Sequence, residues 1–428
     1  LQLAPAPALD AIDAPIAQTI APAQRPLATY ALLAINVALF GIMVASGVDP
    51  VSPAAGQVLN WGADYGPLTL NGQYWRLITS MFLHFGIIHI AANMWCLLSL
   101  GRLAEKLLGP FAVIGTYLLT GIGAALLSLS WDPMRVSAGA SGAIFGIAGV
   151  LITVLYYGKH NLAPEAVRRL LGYVVRFSLL NLLFGLKGHI DNMAHLGGLV
   201  SGLLIGLFLA RTFNAPEEER DARRRTVVAV SALLLLLLFF PVAKAKQFAV
   251  EFNKGQTASD RGDYPAAIEH MQKYTSVRPD DAYGHAILGA SFQRTGRADD
   301  AIREYECALA INPEYAYVEV NLAELYLFQN QPQKAVTMFE KATLRINDDA
   351  DAMYSYGKAL EQTGKPDEAE SALRKSIRLD DKLIEAHELL AEVLQAEGKA
   401  NEARQEQRLA DLLQTQKSSR AGDNAQAH

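Results

Sequence analysis

Three short stretches place hydroxyl, imidazole and amide side chains inside apolar sequence. GASGAIFG sets Ser141 between glycines, HFGIIHIAANMW carries His84, His89 and Asn93, and DNMAHLGGLVSG carries His195. Polar groups in an apolar segment are expensive to bury, so each needs a reason. A serine hydroxyl becomes a nucleophile when a base takes its proton, and histidine suits that task near neutral pH. The oxyanion formed on attack then needs fixed hydrogen-bond donors, which His89, Asn93 and the Ser141 backbone N–H can supply. His89 and Asn93 are four residues apart and share a helix face. Together these parts suffice for acyl transfer. Taken singly, each has a plainer role: Ser141 as a packing residue, Asn93 as a bridge between helices, and His84, off the His89 face, as a structural group.

The elements that position these residues are membrane helices. Seven stretches, near 28–47, 81–101, 110–130, 139–157, 170–187, 193–211 and 226–243, are apolar and close to the roughly 20 residues a hydrocarbon core requires. Arg25, then Arg102 and Lys106, then Lys159, Arg168 and Arg169, then Arg211, Arg220, Arg223, Arg224 and Arg225 all fall on one side if every segment spans. The opposite loops hold only scattered cations such as Arg76, Arg135 and Lys187. Positive charge marks the inner face, so the N-terminus is expected inside and the C-terminal half outside. The last stretch, TVVAVSALLLLLLFFPVA, has no internal small-residue pattern and reads as the element that carries that half across.

Small residues supply a second argument. Gly142 and Gly146 form a GxxxG face on the fourth stretch, and Ala194, Gly198 and Gly202 a matching face on the sixth. Such faces let helix backbones approach closely in lipid. Ser141 and His195 each lie beside one of them, so close packing would unite hydroxyl and imidazole.

With these motifs in order, the sequence resembles the rhomboid family of intramembrane proteases. The matching elements are the GxSG of Gly139, Ala140, Ser141 and Gly142, the AHxxGxxxG of Ala194, His195, Gly198 and Gly202, and the HxxxxHxxxN of His84, His89 and Asn93. Trp75 and Arg76 look like the family's first-loop Trp-Arg pair, read here chiefly as an interfacial anchor, and Glu105 after Gly101 looks like its structural glutamate. The resemblance covers roughly residues 28–211. It implies a six-helix core with a Ser-His dyad opening to the outside through a water-filled cavity. Ser141 would be the nucleophile and His195 the general base, with His89 and Asn93 joining the Ser141 backbone N–H in the oxyanion hole. Phe145 would pack on the His195 ring. The implied substrates are single-span membrane proteins, cut in or near a helix that unwinds readily.

The rest of the chain is different in kind. Residues 246–428 hold 31 of the 43 acidic and 22 of the 38 basic residues. Gly262, Gly296, Asn330, Gly364 and Gly398 recur every 34 residues, as do Ala267, Ala301, Ala335, Ala369 and Ala403; Gly255, Gly289, Ala323, Gly357 and Ala391 form a second register. A 34-residue period with a turn residue between two helical patterns resembles the tetratricopeptide repeat (TPR), here five repeats within about 246–414. Such arrays bind a peptide or a helix of a protein partner. His270, His285 and His387 have no metal-ligand spacing and read as ordinary helix-face residues.

The predicted fold class is all-α: a polytopic membrane bundle of six core helices (27–212), a cytoplasmic linker and seventh transmembrane helix (213–245), then a TPR α-solenoid. The Ala- and Pro-rich lead-in, 1–26, and the tail, 415–428, read as disordered. The lead-in is not a signal peptide, because its one cation, Arg25, follows it; the absence of an initial Met leaves the natural start open. A net charge of −5 without a basic aromatic stripe gives no support for nucleic-acid binding, and two separated cysteines, Cys96 and Cys307, suggest neither a disulfide framework nor a metal site. No cofactor is expected. The predicted function is an intramembrane serine endopeptidase in a bacterial cytoplasmic membrane, in contact with lipid, transmembrane substrates and a partner of the TPR domain. Two other readings compete: a catalytically silent scaffold that holds clients, and a transporter passing protons between intramembrane histidines. Inactive relatives typically lose one dyad residue, whereas Ser141 and His195 are both present. The transporter reading is weakened because the few intramembrane acids lie near helix ends.

Overall fold

The computed structural model describes residues 25–185 and 190–426 and divides into two compact units, 1–253 and 254–428. The first unit is built from α1 (Leu27–Ala45), α2 (Ile87–Leu108), α3 (Pro110–Trp131), α4 (Ser141–Tyr157), α5 (Pro164–Gly185), α6 (Asn192–Thr212) and α7 (Glu217–Ala245). Short helical turns at Ala55–Asn60, Gly66–Thr69, Arg76–Thr79 and Ser80–Phe82 fold the long loop between α1 and α2. Among the described residues the extended pairing is a single bridge, Asp64 to Ser137, so the fold is all-α.

Five of the seven long helices are long and apolar enough to cross a membrane. The other two differ for separate reasons. The apolar α4 has 17 residues, near the lower limit of a spanning helix. The first turns of α5 carry Glu165, Arg168 and Arg169, so its apolar stretch begins later than the helix itself. Several boundaries depart from the hydropathy reading. The second helix starts at Ile87 and not at 81, because Gly86 has φ of +100° and interrupts the chain between the Ser80–Phe82 turn and α2. The fifth starts at Pro164, where proline suits a first helical turn, and its expected end at 186–187 lies outside the described residues. The seventh helix starts at Glu217, ahead of the apolar stretch expected from 226, since its acidic first turn is helix-compatible though not apolar.

The centre of the bundle is α4, buried along most of its length between α3 and α6. Glycines permit this. A Cβ on Gly198 would lie 1.9 Å from the Gly142 carbonyl oxygen, and one on Gly202 would lie 2.1 Å from that of Gly146. The approach of α4 and α6 is therefore backbone to backbone. The small faces are shared more widely than a two-helix reading suggests. The space a Cβ would take on Gly142 or Gly146 is closed by Ala124 and Thr120 of α3, while Gly149 of α4 meets the Leu199 carbonyl of α6.

Glu105 closes the bundle elsewhere. Its carboxylate accepts hydrogen bonds from Ala28 N at 2.9 Å, Thr29 N at 2.8 Å and Thr29 Oγ1 at 2.7 Å. It thereby satisfies otherwise orphaned donors in the first turn of α1, next to the positive end of the helix dipole. Helix α7 lies on α3 and on the first loop. Val228 fills the space over Gly115, the Phe239 ring meets Tyr74 edge-on at 5.3 Å, and Arg224 donates to the Leu107 carbonyl at the end of α2 at 3.2 Å.

In the second unit the helices continue in pairs to Ala400–Gln426. Every turn residue of the 34-residue register adopts a left-handed conformation: Gly262, Gly296, Gly364 and Gly398 at φ of +74° to +81°, and Asn330 at +57°. Asn330 is the one non-glycine residue to do so among the described residues. Ala267, Ala301, Ala335 and Ala369 are fully buried and Ala403 nearly so, and the second register lets Gly289 and Gly357 take the Tyr305 and Leu373 side chains at close range. The last helix, Ala400–Gln426, runs into the tail for which disorder is expected from 415. The expected lead-in, 1–26, lies outside the described residues up to position 24.

Candidate active site

The segment that presents Ser141 is fixed before the helix begins. Ser137 pairs with Asp64 through two backbone hydrogen bonds of 2.8 and 2.9 Å, and Gly139 N donates to the Ser80 carbonyl at 2.9 Å. Gly139 has φ of +141°, which favours glycine. Its missing side chain also makes room: a Cβ there would lie 2.9 Å from His89 Cε1, 3.1 Å from His89 Nε2 and 3.6 Å from Ser141 Oγ. The imidazole of His89 and the hydroxyl of Ser141 therefore flank the same glycine. As the first residue of α4, Ser141 also exposes a backbone N–H that no helix carbonyl can satisfy.

His89 is oriented by its own chain. Phe85 N donates to His89 Nδ1 at 3.3 Å, which makes Nδ1 the acceptor and leaves the proton of a neutral ring on Nε2, the atom beside Gly139. One turn along α2, Asn93 is buried and its Nδ2 has no partner. An unsatisfied buried donor is a costly feature in a packed protein and points to a functional demand. His89 Nε2 and Ser141 thus stand beside the same glycine, and the unpartnered Asn93 amide lies one turn further along α2.

His195 lies in the first turn of α6 and is 7 % exposed. Phe145, one turn after Ser141, stacks on its ring with centroids 4.4 Å apart and planes 15° from parallel; Phe177 of α5 backs Phe145 at 5.9 Å. The stack holds the imidazole at the α4–α6 seam. His195 Nδ1 has no hydrogen-bond partner, so no carboxylate orients this ring as in a three-residue relay. Among the described residues no hydrogen bond joins Ser141 Oγ to His195; such bonds are often long before substrate binds.

The remaining candidates sit around this centre. His84 is fully buried at 5.2 Å from His89, ring to ring, with neither nitrogen partnered. Arg76 is buried and ties the first loop together, donating to the Leu59 carbonyl at 2.7 Å, the Ala63 carbonyl at 2.8 Å and Gln73 Oε1 at 2.7 Å. Its neighbour Trp75 is half exposed, with the guanidinium 4.8 Å from its ring centre. Glu105 is remote from the serine, at the α1–α2 contact described above. Gly142, Ala194, Gly198 and Gly202 belong to the seam, where the Ala194 carbonyl is 3.5 Å from the position of a Gly142 Cβ. Among the described residues no group of three or more His, Cys, Asp or Glu side chains could hold a metal.

Two structural features around these residues were not singled out in the sequence. The Phe85 N–H that sets the His89 tautomer has no side-chain signature. Asp191 does, because an Asp just before a helical run is an N-cap signal. It caps α6 by accepting from Ala194 N at 3.0 Å, and its other oxygen accepts from Ser128 Oγ and Ser137 Oγ.

Fold and site together define a helical membrane protein with a serine and a histidine on two interlocked helices, and a second histidine beside the serine. A rhomboid domain model matches residues 71–212, and tetratricopeptide-repeat models match residues 252–316, 294–359 and 350–383. The rhomboid protease AarA of Providencia stuartii is 34 % identical over 200 residues, covering 42 % of this chain and 70 % of that one. The rhomboid protease GluP of Bacillus subtilis is 28 % identical over 309 residues, covering 72 % of this chain and 59 % of GluP. The chain belongs to the rhomboid family and carries tetratricopeptide repeats. Among solved structures, MamA 41-end from Desulfovibrio magneticus RS-1 aligns with a TM-score of 0.38 and 18 % identity, over 40 % of this chain and 96 % of that one.

Proposed function

We propose that this integral membrane protein is an intramembrane serine endopeptidase that cleaves transmembrane proteins in or near the membrane. The observation that carries the reading is the placing of His89 Nε2 and Ser141 Oγ beside the same Gly139, with the Phe145-stacked His195 on the adjoining helix; the buried, unpartnered Asn93 amide one turn along from His89 adds to it. In this reading His195 takes the Ser141 proton as Oγ attacks the scissile carbonyl, and the tetrahedral oxyanion accepts from His89, Asn93 and the Ser141 N–H. The proton then passes from His195 to the leaving amine, and water releases the acyl group by the same steps in reverse roles. The names of AarA and GluP, both rhomboid proteases, support the class of reaction.

A competing reading is an inert scaffold, and the absent Ser141–His195 hydrogen bond is the observation in its favour. The two separate in one experiment. Full-length protein in liposomes should cleave a single-span substrate, and Ser141→Ala should abolish the cleavage. An intact substrate with wild-type protein, or persistent cleavage by Ser141→Ala, overturns the assignment. The loop cations support an inner N-terminus and an outer repeat domain in a bacterial cytoplasmic membrane. The repeats are proposed to bind substrate or a protein partner.

A further inference from the structure

The seam that unites serine and histidine is held at its open end by one carboxylate. Asp191 Oδ1 caps the first turn of α6, four residues before His195, through Ala194 N at 3.0 Å. Asp191 Oδ2 accepts from Ser128 Oγ, near the end of α3, and from Ser137 Oγ, four residues before Ser141, at 2.7 Å. Ser137 in turn is paired with the first loop through Asp64. A single side chain therefore joins the helix of the base, the strand-like lead into the nucleophile, and the helix packed behind both.

We infer that Asp191 is a positioning residue, fixing the height of His195 relative to Ser141; the inference rests on the hydrolase reading above. The physical reason is the type of bond. A carboxylate accepting from two hydroxyls and a helix N–H makes charge-assisted bonds, roughly twice as strong as neutral ones, and at the first turn it also complements the helix dipole. The α4–α6 glycine contacts fix how closely the helices approach. Contact through flat backbone leaves sliding along the seam less restrained, and the Asp191 bonds supply that restraint at the level of the reacting atoms.

Asp191→Asn keeps the cap and weakens the joint. An asparagine oxygen still caps Ala194 N, but the amide nitrogen facing Ser128 and Ser137 can only donate, so both hydroxyls must turn from donors into acceptors and the charge-assisted bonds become weaker neutral ones. Full-length protein in liposomes is assayed with a single-span transmembrane substrate over a range of concentrations, and Ser141 is titrated with a fluorophosphonate. The expected result is a kcat lower by about 10- to 100-fold, the range set by an ångström-scale misplacement, with KM unchanged and the unfolding temperature preserved. Labelling of Ser141 should slow in parallel. Ser137→Ala, which removes one of the two hydroxyls and keeps the backbone pairing to Asp64, should show a smaller fall of the same kind. Wild-type kcat and labelling rate in Asp191→Asn overturn the inference. So does a loss explained wholly by unfolding, with the folded fraction reacting at the wild-type rate. An inert, unlabelled wild type would instead bring down the hydrolase reading, and this inference with it.

Discussion

Adding one methyl to Gly198 tests whether the dyad depends on backbone contact between α4 and α6. In the native seam that methyl carbon would stand 1.9 Å from the Gly142 carbonyl oxygen, where ordinary contact begins at 3.4 Å. The difference, 3.4 less 1.9, requires the helices to part by about 1.5 Å at a point three residues beyond His195 and one residue beyond Ser141. The obstacle is backbone, so no rotamer change relieves it. Overpacking of this kind costs about 1–3 kcal/mol of stability, and an ångström of displacement at reacting groups lowers turnover about 100-fold. Gly198→Ala should therefore lose activity more severely than stability, and Gly198→Val should lose both. Gly41→Ala in α1 is the control, since a Cβ there meets nothing within 4 Å. The assays are thermal unfolding in detergent and cleavage of a single-span substrate in liposomes. A Gly198→Ala protein that unfolds and cleaves like wild type refutes the packing argument.

Other expectations follow from single groups. Asn93→Ala removes one of the three proposed oxyanion donors and should lower kcat by about 100-fold, near 3 kcal/mol, while KM holds; an unchanged kcat removes Asn93 from the site. Cys307 is exposed in the repeats whereas Cys96 lies within α2, so a membrane-impermeant maleimide added to intact cells should label Cys307 if the repeats face outward. Labelling only after lysis would reverse the proposed orientation. In the repeat unit Lys399 and then Arg374 hold the Glu370 carboxyl down to about 2. Its folded value lies below the unfolded one near 4.5, so its stabilisation is present above pH 4.5 and is lost as pH falls towards 2. Glu370→Gln should flatten that part of the acid-unfolding curve of the repeats, and an unaltered curve would show the pairings to be inconsequential.

Much of this architecture could be read from residue types alone, because the controlling contacts depend on them. Glycines at 34-residue spacing fix the left-handed turns of the repeats, and Asn330 fills the same role with the one other side chain that tolerates it readily. Gly198 and Gly202 announced a close helix pair. What escaped was anything decided by backbone or by distant partners. Hydropathy senses lipid and not helix ends, so it could not see that Gly86 breaks the chain before α2 or that the acidic turn at Glu217 already belongs to α7. The donation from Phe85 N to His89 leaves no trace in side-chain pattern. The joining role of Asp191 has no local signal, because the serines it binds are 54 and 63 residues away in sequence. The role of α3 in filling the Gly142 and Gly146 faces was hidden for the same reason, since Ala124 and Thr120 are unremarkable until the helices are packed.

The most direct measurement is peptide-level mass spectrometry after treating the full-length protein in liposomes with a fluorophosphonate. Phosphonylation of Ser141, lost in His195→Ala at unchanged unfolding temperature, is the predicted result. Modification at another residue, or labelling of Ser141 that proceeds equally well without the His195 imidazole, would contradict the account.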